Sequence, residues 1–577
     1  MENREIAAVF GEIGAILRIL QEDPKWQFKA VAYERAKRSI ESYPERLEDI
    51  ARDPNRKLTE VPGVGADLAG KIQELIDTGE LNYHQDILKK IPRSLLDIMQ
   101  VQGIGPQKAR LFYHDLGVKT LAELEAAAKA GRLRELPGMS EKSEQNILKA
   151  LEVFSRAAGR FRLDTAYETA QELIAYLREV KGVERVEPAG SLRRGRETVG
   201  DLDLLVTGSD RARTADHFVK FPRVAQVLAQ GEDKASVKLT NDLQVDVRLL
   251  EPESFGAALM YFTGSKEHNV ALRDRAKRRG WKLSEYALFE GDKVIASRTE
   301  EEIYKKLGLA WVPPEIRENM GEIEAAEKGD LPHLVELADI RGDLQMHTTA
   351  SDGRNSIEEM AGAAKKLGYQ YILITDHSKA VTIANGLDDQ RALEHIAQIK
   401  AARKKVKGIA IWAGTEVDIL GDGSLDYPDD ILMQFDIVLA SVHSRMTQPG
   451  EEMTERLLKA LRNPYVRILG HPTGRYVLRR DPFNFDHERV FNAAKKTGVV
   501  LEVNANPERL DLCDRDTRLA RDKGIKVVIS TDAHQPKHFQ FMRYGVITAR
   551  RGWMEKKDVV NTYPPEKLLA SLRPLPA

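Results

Sequence analysis

At 577 residues the chain is too long for one hydrophobic core, so several domains are expected. Its 42% hydrophobic and 31% charged residues suit a soluble globular protein. No apolar run reaches the length of a membrane-spanning helix, and the opening MENREIAAVFGEIG lacks the basic and apolar regions of a secretion signal. The net charge of -1 argues neither for nor against nucleic acid, because acidic and basic surfaces cancel in the sum. A single cysteine, Cys513, excludes an internal disulfide and predicts a cytoplasmic protein.

Residues 1 to about 84 read as helical, with apolar residues at helical spacing in EIAAVFGEIGAILRIL and a basic-aromatic segment, WQFKAVAYERAKRSI. VPGVGADLAGKI at 61–72 follows, and VQGIGPQKARLF at 101–112 nearly repeats it. Gly63, Gly65, Gly103 and Gly105 allow tight turns whose backbone amides open a helix, where a phosphate is held well. A weaker third version, LPGMSEKSEQNILKAL, spans 136–151. One such turn is compatible with an ordinary helix connection. Their repetition matches the helix-hairpin-helix motif, which grips the DNA backbone without reading sequence and weakens with salt.

GSLRRGRETVGDLDLLV at 190–206 sets two arginines after a Gly-Ser turn and then alternates Asp201 and Asp203 with leucines. Side chains two apart on a strand point the same way, so the two carboxylates share one face. In NDLQVDVRLL, Asp246 can join them from a neighbouring strand. Clustered carboxylates repel unless a cation sits among them, and such hard oxygen ligands suit Mg²⁺ or Mn²⁺. The competing reading is solvated strand residues.

From about residue 341, short apolar runs alternate with amphipathic helices such as SIEEMAGAAKKLG, which predicts a parallel sheet buried on both faces. Nearly every run ends in His, Asp or Glu. The strand-end residues are His347, Asp352, Asp376, His377, Glu416, His443, His471, Asp532 and His534. In a closed β/α barrel the active site lies at these ends. Histidine with carboxylate and no cysteine suits two or three ions of Mn²⁺, Zn²⁺ or Fe²⁺.

GSLRRG, GDLDLL, QVDVR and YFTGSKEHN at 261–269 resemble, in order, the signatures of family X DNA polymerases, and the helix-hairpin-helix region precedes them as it does there. The resemblance implies that Asp201, Asp203 and Asp246 are catalytic and hold two metals. It implies that Gly190, Ser191 and Arg194 contact the triphosphate, with Tyr261 and Phe262 beside the incoming sugar, Asn269 near its base and Gly264 also among the nucleotide-binding residues. Gln244 departs from the arginine that some vertebrate relatives place beside the third aspartate. Lys71 matches a Schiff-base lysine of the family's repair members, with Tyr33 and Lys29 at accessory positions; another accessory lysine is Asp67 here. Residues 341–577 resemble the polymerase and histidinol phosphatase (PHP) domain, whose members hydrolyse phosphoesters with a multinuclear metal centre. Where many relatives have His-x-His, this chain has Gln345-Met346-His347. Arg445 and Arg475 follow two ligand motifs and read equally as phosphate contacts or surface arginines.

The expected organisation is multidomain. A helical lyase-like domain (1–84) and a second helix-hairpin-helix domain (85–157) precede an α+β nucleotidyltransferase palm (158–255). A nucleotide-binding subdomain (256–320), a linker (321–340) and a (β/α)7-type barrel (341–577) complete it. The resemblance implies a monomeric polymerase filling short gaps in base excision repair from deoxynucleoside triphosphates, with a 3′-to-5′ exonuclease that also acts on abasic sites or blocked 3′ ends. Two alternatives are a phosphatase of a small phosphoester and a DNA-binding scaffold that does not polymerise.

Overall fold

The computed structural model describes residues 1, 3–21, 24–43 and 45–572, so the last five residues of the expected barrel segment lie outside it. Among the described residues no helix is long and apolar enough to cross a membrane. The chain forms two compact units, Met1–Ala158 and Gly159–Ala577.

The first unit is helical, and one apolar core runs through it from Ile6 to Leu151, so the expected division near residue 84 is not a break in the packing. Each hairpin is built the same way. Gly63 and Gly103 adopt φ of 79° and 82°, a left-handed backbone that costs an L side chain about 1–2 kcal/mol. Gly65 and Gly105 then cap the helices Ala66–Thr78 and Pro106–Leu116. In the third copy Gly138 supplies the turn and the Ser140 hydroxyl caps Glu141–Ala157 by accepting from the Ser143 amide. A hydroxyl thus replaces the open amide end of the other two.

The second unit begins with a five-stranded mixed sheet in the order Val183–Pro188, Asp201–Gly208, Gln244–Leu250, Lys234–Leu239, Val224–Gln230. Its two central strands, Asp201–Gly208 and Gln244–Leu250, run parallel. Leu202, Leu204 and Val206 alternate inward on the first, and Val245, Val247 and Leu249 on the second, so the opposite parity carries the aspartates. The helices Phe255–Thr263 and Lys266–Lys277, a three-stranded antiparallel sheet and the helix Glu300–Lys306 follow. The stretch 321–340, expected as a linker, is packed at both ends: Ile323, Ala326 and Leu334 join the core of that subdomain, and Val335 and Ile340 join the barrel core.

The barrel is a sequential parallel sheet of seven strands, from Gly342–Asp343 to Val527–Ser530. Its seam is drawn together by a parallel bridge between Met346 and Ala533 and by the Asp343 carboxylate, which accepts from the Thr531 amide at 3.0 Å. Strands such as Tyr371–Ile374 and Ile437–Ser441 are buried along their whole length, as expected for a sheet covered on both faces. The barrel also packs on the palm. Val477, Leu510 and Tyr544 enter the palm core, Arg162 pairs with Glu508 at 2.6 Å, and Arg475 pairs with Glu197.

Two candidate metal centres

In the palm, Asp203 stands directly across from Asp246 in the parallel register, and Asp201 stands across from Gln244. Burial first, then repulsion from Asp201 and Asp246, pushes the Asp203 carboxyl up to about 6. Asp246 is held below the usual range despite its burial, by the polar groups around it, the Ser236 hydroxyl beside it and the Lys234 and Gln244 side chains that donate to it. Lys234 Nζ lies 3.0 Å from Asp246 Oδ2, and Gln244 Nε2 donates to Oδ1 at 3.3 Å. Gln244 therefore leaves the nearby positive charge to Lys234, on the next strand. Repelling carboxylates gathered on one face are a donor set that fits hard divalent ions.

The Gly190–Arg193 turn lies against this face: Gly190 has φ of 60°, and a Cβ there would come 2.6 Å from Asp203 Oδ2. Ser191 is half-buried in the same turn. Neither following arginine is a solvated loop residue. Arg193 makes a bidentate pair with Glu300 at 2.8 Å, and Arg194 donates to the Thr263 carbonyl at 2.5 Å and to Glu318 at 3.2 Å. These contacts bring the 261–265 turn to the Gly-Ser turn. A Cβ on Gly264 (φ 70°) would lie 3.1 Å from Arg194 Nη1. Tyr261 and Phe262 meet edge to face, Arg248 stacks 4.2 Å over Phe262, and Asn269 donates to the Tyr261 carbonyl at 2.7 Å.

In the helical unit, Lys71 pairs with Asp67 at 2.5 Å and lies 4.9 Å from the Tyr83 ring and 5.4 Å from the Tyr33 ring. Burial pushes the Tyr33 hydroxyl up, and Lys29 acts on it in the opposite direction.

The barrel strand ends converge. Among the described residues, two groups have ligand atoms all within 4.8 Å of one another: His347, Asp352, His377 and His534, and His377, Glu416 and His443. Glu416 is central, with its oxygens 2.8 Å from His471 Nε2, 3.2 Å from His443 Nε2 and 3.3 Å from His377 Nδ1. Asp532 Oδ1 accepts from His347 Nε2 at 3.1 Å. His347 Nδ1, His377 Nδ1, His443 Nε2 and His471 Nδ1 are buried without a hydrogen-bond partner, and two of them, His377 Nδ1 and His443 Nε2, face the buried Glu416 carboxylate, an arrangement that a divalent cation satisfies. His471 and Asp532 hold φ of 26° and 55°, uncommon for residues other than glycine and typical of over-determined functional sites.

Several residues fall outside the strand-end pattern. Asp376 turns away from the cluster, accepting from Thr348, Ser351 and His395 (Nε2, 2.8 Å), and so braces loops. Asp418 holds His443 by its amide at 3.0 Å and its Nδ1 at 3.1 Å. Its place two residues after Glu416 on one strand was a readable signal. Gln345 is buried, its Oε1 accepting from Asn504 Nδ2 at 3.3 Å while its Nε2 has no partner. Glu502 is buried behind His471, whose amide it accepts at 2.7 Å, and burial raises its carboxyl well above the ordinary range. Arg475 is committed to Glu197 and to the Arg509 carbonyl, whereas Arg445 is exposed.

Family models match in the same order as these parts: a helix-hairpin-helix domain at 1–81, a SAM-like helix-hairpin-helix tandem at 95–152, the DNA polymerase beta thumb at 258–318 and the PHP domain at 343–506. The Bacillus subtilis DNA polymerase/3′-5′ exonuclease PolX is 37% identical over 97% of this chain and 97% of its own. A probable phosphatase of Thermoanaerobacter is 33% identical over 33% of this chain and 78% of its own. The crystal structure of Leishmania infantum polymerase beta in a ternary P/T complex aligns with 39% of this chain and 98% of its own at 24% identity and a TM-score of 0.26. An acidic palm joined to a histidine-rich barrel defines a two-centre phosphoryl-transfer protein. The chain belongs to the family X DNA polymerases that carry a PHP domain.

Proposed function

We propose that this chain is a DNA-directed DNA polymerase with a 3′-to-5′ exonuclease, filling short gaps in DNA during base excision repair. The observation that carries this is the presence in one chain of two chemically different ligand sets, one of carboxylates on the palm and one rich in histidine at the barrel strand ends. A barrel-only phosphatase would account for a third of the chain, the share matched by the probable phosphatases. A scaffold would have no physical use for Asp203 opposite Asp246.

At the palm, Asp201, Asp203 and Asp246 would hold Mg²⁺ or Mn²⁺. The barrel set His347, Asp352, His377, Glu416, His443, His471, Asp532 and His534 would hold at least two ions of Mn²⁺, Zn²⁺ or Fe²⁺. When bound, such ions supply Lewis-acid activation of an oxygen nucleophile and neutralise phosphate charge. The chain's own part is positioning. Gly190 lets the Gly-Ser turn approach Asp203, and Arg194 exchanges Glu318 for the triphosphate of the incoming nucleotide. Tyr261, Phe262 and Asn269 orient its sugar and base. The hairpin amides after Gly63, Gly65, Gly103 and Gly105 hold the DNA backbone on either side of a gap. Lys71, close to Tyr33 and salt-bridged to Asp67, is the candidate for removing a 5′-deoxyribose phosphate, and abasic or blocked 3′ ends are further barrel substrates.

The test is substitution of one centre at a time. Asp203→Ala should abolish nucleotide incorporation on gapped DNA and keep primer shortening, while His377→Ala should do the reverse. Incorporation by Asp203→Ala at the wild-type rate would remove the palm assignment.

A further inference from the structure

One cation at the barrel site belongs to neither ligand group. Arg509 lies in the loop after the strand Val500–Asn504 and is 9% exposed. Its guanidinium stacks 4.5 Å over the Tyr476 ring, and its Nε lies 3.5 Å from Asp532 Oδ2. The other oxygen of that carboxylate accepts from His347, so Arg509 sits across Asp532 from the histidines. Its Nη1 is buried and has no hydrogen-bond partner. Leaving a buried donor unmet costs on the order of 1–3 kcal/mol, more for a charged one, so a fixed site keeps such a group for a ligand.

The loop is set in advance. Glu508 pairs with Arg162, Leu510 enters the palm core, and the Arg509 carbonyl accepts from Arg475 Nε at 2.9 Å. A second unmet donor is connected to the same carboxylate: Asn504 Nδ2 lies 3.3 Å from Asp532 Oδ2 and 3.3 Å from Gln345 Oε1, which leaves Gln345 Nε2 without a partner. Two orphaned donors around a histidine and carboxylate cluster call for an anion with several acceptor oxygens. Planar guanidinium groups favour phosphate over a single carbonyl.

We propose that Arg509 is a substrate-binding residue of the barrel, donating through Nη1 to a non-bridging oxygen of the phosphodiester being cleaved, with the Gln345 amide as a second donor. Gln345 then contributes as a donor to substrate where a ligand histidine would have been spent on metal. This rests on the barrel being a nuclease, and the experiment separates the two. Wild type, Arg509→Ala and Arg509→Lys, as full-length metal-loaded protein, are compared in four measurements. These are bound metal by elemental analysis, calorimetric binding of inorganic phosphate, shortening of a labelled oligonucleotide, and primer extension.

Arg509→Ala should keep its metal content and primer extension, bind phosphate more weakly, and lose roughly 100-fold in kcat/KM for shortening. Arg509→Lys should recover part of the phosphate binding, as a charge without the fork. Unchanged phosphate binding and shortening in Arg509→Ala would overturn the proposal, as would a loss that tracks loss of metal, since Arg509 would then only hold Asp532. If the wild type shortens nothing, the nuclease assignment falls, and phosphate binding alone decides the role of Arg509.

Discussion

Glu300 shows how much one buried side chain holds in the nucleotide-binding subdomain. It accepts from Arg317 at 2.6 and 3.0 Å, from Arg193 at 2.8 Å and from Trp311 Nε1 at 3.0 Å, while Arg317 is fully buried. Burial alone would raise its carboxyl, but the Arg317 charge and the bonds from Arg193 and Arg317 outweigh it and hold it far below its ordinary 4.5. A depressed carboxyl contributes stability that is present above pH 4.5 and lost as pH falls toward the folded value. Glu300→Gln should therefore cost about 3–5 kcal/mol at neutral pH by leaving buried guanidinium charge uncompensated, and should flatten the stability profile below pH 4.5. Chemical denaturation across pH checks both, and an unchanged profile would mean that the charge is compensated elsewhere. Asp418 carries a second prediction of the same kind. Because it fixes the His443 ring through Nδ1, Asp418→Ala should weaken barrel metal affinity by roughly 10–100-fold in a competition titration, with nucleotide incorporation unaffected.

Elements meet where side chains have been dispensed with. Gly190 combines a positive φ with a Cβ position 2.6 Å from Asp203 Oδ2, so Gly190→Ala should displace the turn from the aspartates. It should lower incorporation sharply while circular dichroism and primer shortening stay unchanged; wild-type incorporation would show that the turn has room to spare. Such junctions also mark what was readable from the chain alone. The alternation Asp201-Leu202-Asp203 showed the shared face, and the repeated His, Asp and Glu at the ends of apolar runs showed the barrel, because both follow from strand parity and parallel topology. The register that sets Asp203 against Asp246 depends on long-range pairing. Lys234 came into view only once its strand was placed beside Gln244–Leu250, since no local pattern links residues 234 and 246. Arg509 sits in an irregular loop with no period to betray it. The stretch 321–340 has the acidic residues of a linker and a proline, Pro332, yet Glu322 is buried against His268 Nδ1 at 2.6 Å, a contact that composition cannot express.

Across the second unit, the palm and barrel share structure as well as a chain. Arg551, on the barrel helix Met542–Arg551, donates to the Arg194 carbonyl at 2.8 Å and to Glu318 at 3.0 Å, and pairs with Asp514 at 2.6 Å. Ile547 on the same helix packs so closely on Gly195 that a Cβ there would come within 2.1 Å. The barrel thus buttresses the turn that holds the triphosphate in the proposed function, while the palm anchors the loop that carries Arg509. Shared support does not merge the chemistry, because the aspartate and histidine sets have no residue in common. The most direct test of two independent centres follows one end-labelled primer on gapped DNA with Mn²⁺, with and without deoxynucleotides, in wild type and His377→Ala. Extension with nucleotides in both proteins, and shortening without them in the wild type alone, is the predicted result. Loss of extension together with shortening in His377→Ala, or loss of neither, would contradict two separate centres.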